Sequence, residues 1–192
     1  CEEVIDKATK AINLGDVQLA KTVKESGASI DQMERDIESR CMKLLLHQQP
    51  VARDLRMISA ALKMITDMER IGDQAEDIAE IVTFLDGRTV GEMKLISEMA
   101  YKTIEMVTAS VDAFVKKDIV IAENVIEQDD IVDNYFTDIK KSIINWIANN
   151  PEDGEFALDL LMIAKYLERI GDHATNIAEW VIFSVTGIRK AD

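Results

Sequence analysis

The feature that most constrains this chain is a five-residue phrase used twice. Glu69-Arg70-Ile71-Gly72-Asp73 returns as Glu168-Arg169-Ile170-Gly171-Asp172, and Ile78-Ala79-Glu80 returns as Ile177-Ala178-Glu179, both at an offset of 99 positions. Upstream, Asp16, Ala20, Val23, Asp31, Asp36 and Ile37 align with Asp118, Ala122, Val125, Asp133, Asp138 and Ile139 at an offset of 102. The second copy therefore has a turn three residues shorter. Such a pattern is what a duplicated supersecondary unit looks like, one whose apolar face needs a neighbour to cover it.

The unit is helical. Apolar residues recur at helical spacing from end to end, and only 2 prolines and 8 glycines interrupt 192 residues. The spacing predicts helices over 2–13, 17–46 and 52–85, then 92–115, 119–148 and 155–186. Asp16 and Asp118 are placed to cap the second helix of each copy. Pro50 and Pro151 end those helices, because the residue before a proline is pushed out of helical geometry. Asp86-Gly87-Arg88 is expected to close the third helix with Gly87 at its C-cap. A long amphipathic helix cannot bury its stripe alone. The expected fold is therefore all-α: two pseudo-symmetric antiparallel three-helix bundles packed side by side, the first spanning 1–90 and the second 91–192.

Charge narrows the partners. The formal net charge is -14, which argues against nucleic acid and against anionic lipid surfaces, since both are held by clustered Lys and Arg. An acidic surface suits cations or a basic partner. No apolar run approaches the length of a membrane span; Trp180-Val181-Ile182-Phe183 reads as a core-facing stretch. Cys1 and Cys41 have no metal-like spacing and fit a reducing compartment, with Cys41 a small core residue. The chain opens partway into a helical pattern, so the lack of a targeting signal carries little weight.

The repeated phrase carries chemistry. Glu69, Asp73 and Asp77 stand four apart and share one helix face. Like charges so placed cost about 0.2–0.5 kcal/mol per pair, and a mid-helix glycine costs about 1 kcal/mol against alanine. Both costs recur together at Glu168, Gly171 and Asp172, which points to something close-packed there. The second helix of each unit supplies further acid, Asp31 in the first and Asp129 with Asp133 in the second. Facing pairs of carboxylates make an all-oxygen site for hard or borderline cations. The bland alternative is a solvated acidic face balanced by Arg70 and Arg169. Periodicity alone leaves both open.

Gln49-Pro50-Val51-Ala52-Arg53-Asp54-Leu55-Arg56 followed by Asp67-Met68-Glu69-Arg70-Ile71-Gly72-Asp73 resembles the first signature of the PhoU family of phosphate-transport accessory proteins. Leu167-Glu168-Arg169-Ile170-Gly171-Asp172-His173 resembles the second. The resemblance covers nearly the whole chain. It implies two three-helix bundles with multinuclear metal clusters (iron, zinc, manganese or magnesium) on Glu/Asp-x-x-x-Asp motifs. Carried onto this sequence, the ligands are Asp31, Glu69 and Asp73 in the first unit, and Asp129, Asp133, Glu168 and Asp172 in the second. Asp77 joins the first set, and Asn176, its counterpart, offers an amide oxygen. Gly27 stands where Asp129 stands in the other copy, so the first site is short of one carboxylate, with Glu34 the expected substitute. The resemblance further implies a cytoplasmic, non-catalytic regulator that couples the ATPase subunit of a phosphate ABC transporter to a sensor histidine kinase. It reaches the membrane only through partners, as a homodimer.

Two other readings belong to different classes. A metal-dependent hydrolase or oxidase on the same carboxylates needs an open metal position in a pocket with a base in reach; a plain helical interaction module needs no metal. No Glu-x-x-His occurs, which removes the di-iron signature of ferritin-like bundles. His47 and His173 read as surface or supporting groups, His173 lying about 100° off the carboxylate row. Arg53 and Arg56 align with Glu152 and Glu155 at the 99-residue offset, so the first unit has a basic tip where the second has an acidic one. As helix-start residues both are expected to be exposed and to dock a partner. The methionines are core filler, with Met57, Met64 and Met68 candidates for an adaptable surface.

Overall fold

Two aspartates set where the long helices begin. In this computed structural model, which describes residues 1–48, 50–85, 87–89 and 94–188, Asp16 Oδ1 accepts from Gln18 N at 2.9 Å and Leu19 N at 3.0 Å. Asp118 Oδ1 accepts from Val120 N and Ile121 N at 2.9 and 3.2 Å. Each satisfies two of the amides that a helix start leaves orphaned. Gly15, at φ 63°, ends the preceding helix in the left-handed region where glycine has no Cβ penalty.

The described residues form six α-helices: α1 (Glu2–Leu14), α2 (Val17–Gln48), α3 (Ala52–Val82), α4 (Lys94–Lys116), α5 (Ile119–Asn149) and α6 (Gly154–Thr186), with a short 3-10 turn at Pro151–Asp153 before α6. Among the described residues there is no strand. The third helix ends earlier than expected, at Val82. Thr83 caps the turn with its amide on Glu80 and Ile81 carbonyls, and Gly87, at φ 77°, serves the connection that follows instead of the cap. Asp86 and the expected start of the fourth helix at 92 lie outside the described residues, as does the boundary at 90/91.

α1, α2 and α3 all touch one another, and α4, α5 and α6 do the same. The two bundles meet chiefly through α3 against α6, with α1 against α4 beside them. The core runs through both, from Ile5, Ile12, Ile71 and Ile78 to Ile96, Met106, Ile163 and Leu167, all essentially solvent-free. Each such side chain contributes about 1.5–3 kcal/mol when fully buried. Cys41 is buried, and burial pushes its thiol up. Val181 is buried and Trp180 packs edge-on against Phe183 at 5.7 Å, as the core-facing reading required. Met64 is part of the core, so it offers no surface; among the described residues Met33, Met42 and Met162 are exposed.

The segment between the bundles is fastened at the far tip. Arg88 Nη1 lies 2.8 Å from Asp153 Oδ1 and its guanidinium stacks 3.6 Å from the Phe156 ring centroid. Trp146 Nε1 donates to the other oxygen of Asp153 at 3.2 Å. Arg88 thus sits among Glu152 and Glu155, so the acidic tip expected of the second unit is partly neutralised.

Candidate functional site

The second bundle packs its acidic residues where α5 crosses α6. Gly171 permits the approach: a Cβ there would lie 3.4 Å from Val132 Cγ1 and 3.6 Å from Asp129 Oδ1. The Asp129 carboxylate therefore rests directly over the glycine of the repeated phrase. Burial raises Asp129 from 3.8 to about 6, and Asp133 and Asp172 add like-charge repulsion. The Thr175 hydroxyl lies close enough to oppose part of that rise, while its oxygen is buried with no hydrogen-bond partner at normal distance. Asp172, on the open side, is raised by burial and then by Glu168, with Lys165 and His173 opposing and Asp133 adding. Glu168 is paired with Lys165 one turn earlier, and Lys165 also lies 5.3 Å from the Phe136 ring. Asp129, Asp133, Glu168 and Asp172 thus share one face of two adjacent helices.

The first bundle differs in one exchange. Glu69 is raised by burial, then by Asp73 and Glu34, with Asp31 also contributing. Asp31, Glu69 and Asp73 are therefore neighbours, as the motif implies. Glu34 lies near Glu69 and does not fill the place of the missing carboxylate. Glu76 fills it. A Cβ built at Gly27 would overlap Glu76 Oε1 outright and lie 3.0 Å from Oε2. Burial raises Glu76 as well, followed by repulsion from Asp73 and Asp31. The signal was present in the repeat, because the 99-residue offset pairs Glu76 with Thr175 just as the 102-residue offset pairs Gly27 with Asp129. Over Gly72 the neighbour is Ile30, whose Cδ1 would sit 2.8 Å from an added Cβ; close packing, not a ligand, covers that glycine.

Asp77 belongs to the seam as much as to the site. Burial and Asp73 raise it, while Arg169 of α6 and Lys24 of α2 pull it back. Its counterpart Asn176 turns its amide nitrogen across the seam, donating to Asp67 Oδ1 at 3.3 Å. His173 does likewise: its Nδ1 is 2.9 Å from Asp67 Oδ1. Among the described residues, no group of three or more His, Cys, Asp or Glu is placed to hold a metal ion.

Arg53 and Arg56 part company. Arg53 is exposed and lines a pocket with Lys117, Phe114 and Ser184. Arg56 is half-buried, with its guanidinium stem against the C-cap of α6, 3.4–3.5 Å from where a Gly187 Cβ would stand. Its Nε is enclosed without a hydrogen-bond partner. The expectation of two exposed helix-start arginines holds for Arg53 alone, because the end of α6 at Gly187 lies against the Arg56 side chain.

Comparison with known proteins settles the family. The PhoU domain model matches residues 1–82 and again 96–181. This chain belongs to the PhoU family. A PhoU homologue of Aquifex aeolicus, named as a phosphate-specific transport system accessory protein, is 38% identical over 169 residues, covering 88% of this chain and 76% of that protein. The Clostridium acetobutylicum homologue is 35% identical over 188 residues, covering 97% and 86%. The crystal structure of PhoU from Pseudomonas aeruginosa superposes with a TM-score of 0.90 at 33% identity, over 97% of this chain and 90% of that one. The PhoU of Streptococcus pneumoniae, titled a phosphate transport system regulatory protein, gives 0.90 at 25% identity over 100% and 90%. These PhoU relatives carry accessory and regulatory names and not those of enzymes, in agreement with a non-catalytic role.

Proposed function

We propose that this PhoU family member is an accessory regulator of phosphate transport that binds metal ions on the two carboxylate faces. The observation that carries the metal reading is Asp129, held over Gly171 against Asp133 and Asp172 with its carboxyl pushed to about 6. A cluster under such repulsion is relieved by a cation. The donor chemistry suits a hard cation, carboxylate oxygens only, and binding would need these side chains to turn toward one another, since among the described residues no group of three or more His, Cys, Asp or Glu is placed to hold an ion. Asp129, Asp133, Glu168 and Asp172 would hold metal in the second bundle, and Asp31, Glu69 and Asp73 in the first. Such an ion supplies positive charge that offsets the repulsion and ties α5 to α6, or α2 to α3. Iron, zinc, manganese and magnesium all suit oxygen donors of this kind to differing degrees.

The accessory reading rests on the names of the relatives. Its finer form is a cytoplasmic homodimer that couples the ATPase subunit of a phosphate ABC transporter to the sensor histidine kinase of a two-component system. Among the described residues no helix is long and apolar enough to cross a membrane. Arg53, exposed at the start of α3 on a strongly acidic protein, is the favoured docking residue. Two measurements test the proposal. Protein purified without chelator is expected to retain metal, and it is expected to bind the transporter ATPase in a pull-down that Arg53→Glu weakens. Metal-free protein that takes up no added Mn²⁺ or Fe²⁺ sinks the metal reading; failure to bind either the ATPase or the kinase sinks the coupling.

A further inference from the structure

Each bundle has a cavity where one long helix starts beside the end of another, and the two are filled differently. In the second bundle it is lined by Glu152, Asp153 and Phe156 at the start of α6 and by Leu85 beyond the end of α3. Arg88 stands in it, with its guanidinium 2.8 Å from Asp153 Oδ1 and 3.6 Å from the Phe156 ring centroid. At the 99-residue offset those four positions become Arg53, Asp54, Met57 and Ser184. All four line a cavity of about 230 Å³ at the start of α3, with Phe114 and Lys117 from the end of α4. The counterpart of Arg88 is Gly187, which has no side chain to place there. The first cavity thus keeps the frame of the second, turns one acid into a base, and lacks the filling side chain.

Lys117 adds an independent sign. It holds φ 54°, the one left-handed residue besides glycine among the described residues, and its counterpart at the 102-residue offset is Gly15 at φ 63°. Glycine adopts that backbone freely, whereas a lysine there is strained, and such strain persists at sites where the side chain is used. The end of α4 already has a cation, because Lys116 is paired with Asp112 at 2.6 Å. Among the described residues neither Arg53 nor Lys117 has an ion pair or a side-chain hydrogen bond. Two unpaired cations therefore line one cavity of a chain whose net charge is -14.

We propose that this cavity binds a carboxylate carried on an apolar body, with Arg53 and Lys117 holding the acid and Phe114 and Met57 flanking the body. It is the arrangement of Arg88 on Asp153 and Phe156 with the charges exchanged. A guanidinium fork matches a carboxylate. Asp54 leaves the lining with one positive charge in excess, which suits a singly charged head better than a dianion. The carrier is a free small acid or an acidic side chain next to an aromatic one in a partner protein; the recognised chemistry is the same. The inference needs neither bound metal nor the transporter and kinase coupling, and it gives Arg53 a ligand of its own.

The test titrates isotopically labelled, chelator-treated protein with hydrocinnamate at fixed ionic strength and follows amide shifts by nuclear magnetic resonance. Saturable shifts are expected at Phe114, Lys117 and Ser184. Arg53→Gln should weaken binding about tenfold or more, as loss of one charge-assisted hydrogen bond does. Lys117→Gly should weaken it similarly without lowering the melting temperature, because glycine takes this backbone without strain. Hydrocinnamide keeps the ring without the charge, and propionate keeps the charge without the ring; each should bind about tenfold more weakly or worse. A blocked peptide, acetyl-Ala-Phe-Glu-Ala-amide, separates the two carriers. Tighter binding than hydrocinnamate assigns the cavity to an acidic segment of a partner protein, and weaker binding assigns it to a free small acid. Absence of saturable shifts at these residues with both probes overturns the inference, and so does undiminished binding in the Arg53→Gln, Lys117→Gly double variant. Either failure leaves the metal and coupling readings to their own measurements.

Discussion

His173 on α6 reaches across to Asp67 on α3, with Nδ1 2.9 Å from Oδ1. A carboxylate can only accept, so the proton sits on Nδ1. Asn176 donates to the same oxygen at 3.3 Å. Both donors come from one bundle and the acceptor from the other, and the His173 and Asp67 side chains are 14% and 15% exposed. The contact is therefore a tie across the main seam and not part of either acidic face.

Removing that acceptor strands His173 at a mostly covered seam, while the exposed Asn176 can turn to water. Asp67→Ala is expected to lower stability by about 1–3 kcal/mol, the cost of stranding buried hydrogen-bonding groups. Asp67→Asn, which keeps one acceptor oxygen, should lose less. Urea unfolding monitored by circular dichroism measures both. A loss below about 0.5 kcal/mol for the alanine variant would show that water replaces the acceptor freely.

The two repeated glycines should respond differently to alanine. At Gly171 an added Cβ meets ordinary contacts of 3.4 and 3.6 Å, whereas at Gly72 it would lie 2.8 Å from Ile30 Cδ1. Gly171→Ala is expected to gain up to about 1 kcal/mol in metal-free protein from helix propensity. Gly72→Ala should gain less, because Ile30 must move. Thermal melts of the pair decide it, and a larger gain at Gly72 would contradict the packing.

Reversing charge at Arg53 and at Arg56 separates surface from structure. Arg53→Glu should stay within about 0.5 kcal/mol of wild type, as exposed substitutions do. Arg56→Glu removes a stem packed on the α6 C-cap and puts a carboxylate beside the negative end of that helix, for a loss of about 1–2 kcal/mol. Equal stability of the two variants would place Arg56 in solvent.

The acidity of Asp129 predicts a pH effect with a definite sign. Its carboxyl is raised in the folded protein from 3.8 to about 6. Between those values the folded state holds a proton that the unfolded state releases, so the group destabilises the fold above about 6 and ceases to do so below about 3.8. The groups facing it are Asp130 and Asp133 on α5 and Asp172 and Thr175 on α6. With metal removed by chelator, Asp129→Asn is expected to be more stable than wild type at pH 7 by about 1–2 kcal/mol, a figure reduced for screening from the open side. The difference should vanish near pH 4. A constant difference across that range would mean that Asp129 titrates normally and that the site carries little repulsion.

The sequence by itself determined the helices and their duplication. Caps at Asp16 and Asp118, breakers at Pro50 and Pro151, and the doubled Glu-Arg-Ile-Gly-Asp phrase all act through a few neighbouring residues, and such local rules are legible in one dimension. It also placed Asp31, Asp129, Asp133, Glu69, Asp73, Glu168 and Asp172 on shared faces, because helical period alone puts them there. Only the tertiary structure decided what stands across from each face. That Glu76 takes the place left by Gly27, that His173 and Asn176 turn to Asp67, and that Arg56 lies under the end of α6 depend on how two helices cross. Crossing geometry is set by packing over the whole interface, so no local pattern around Gly27 or Arg56 contains it.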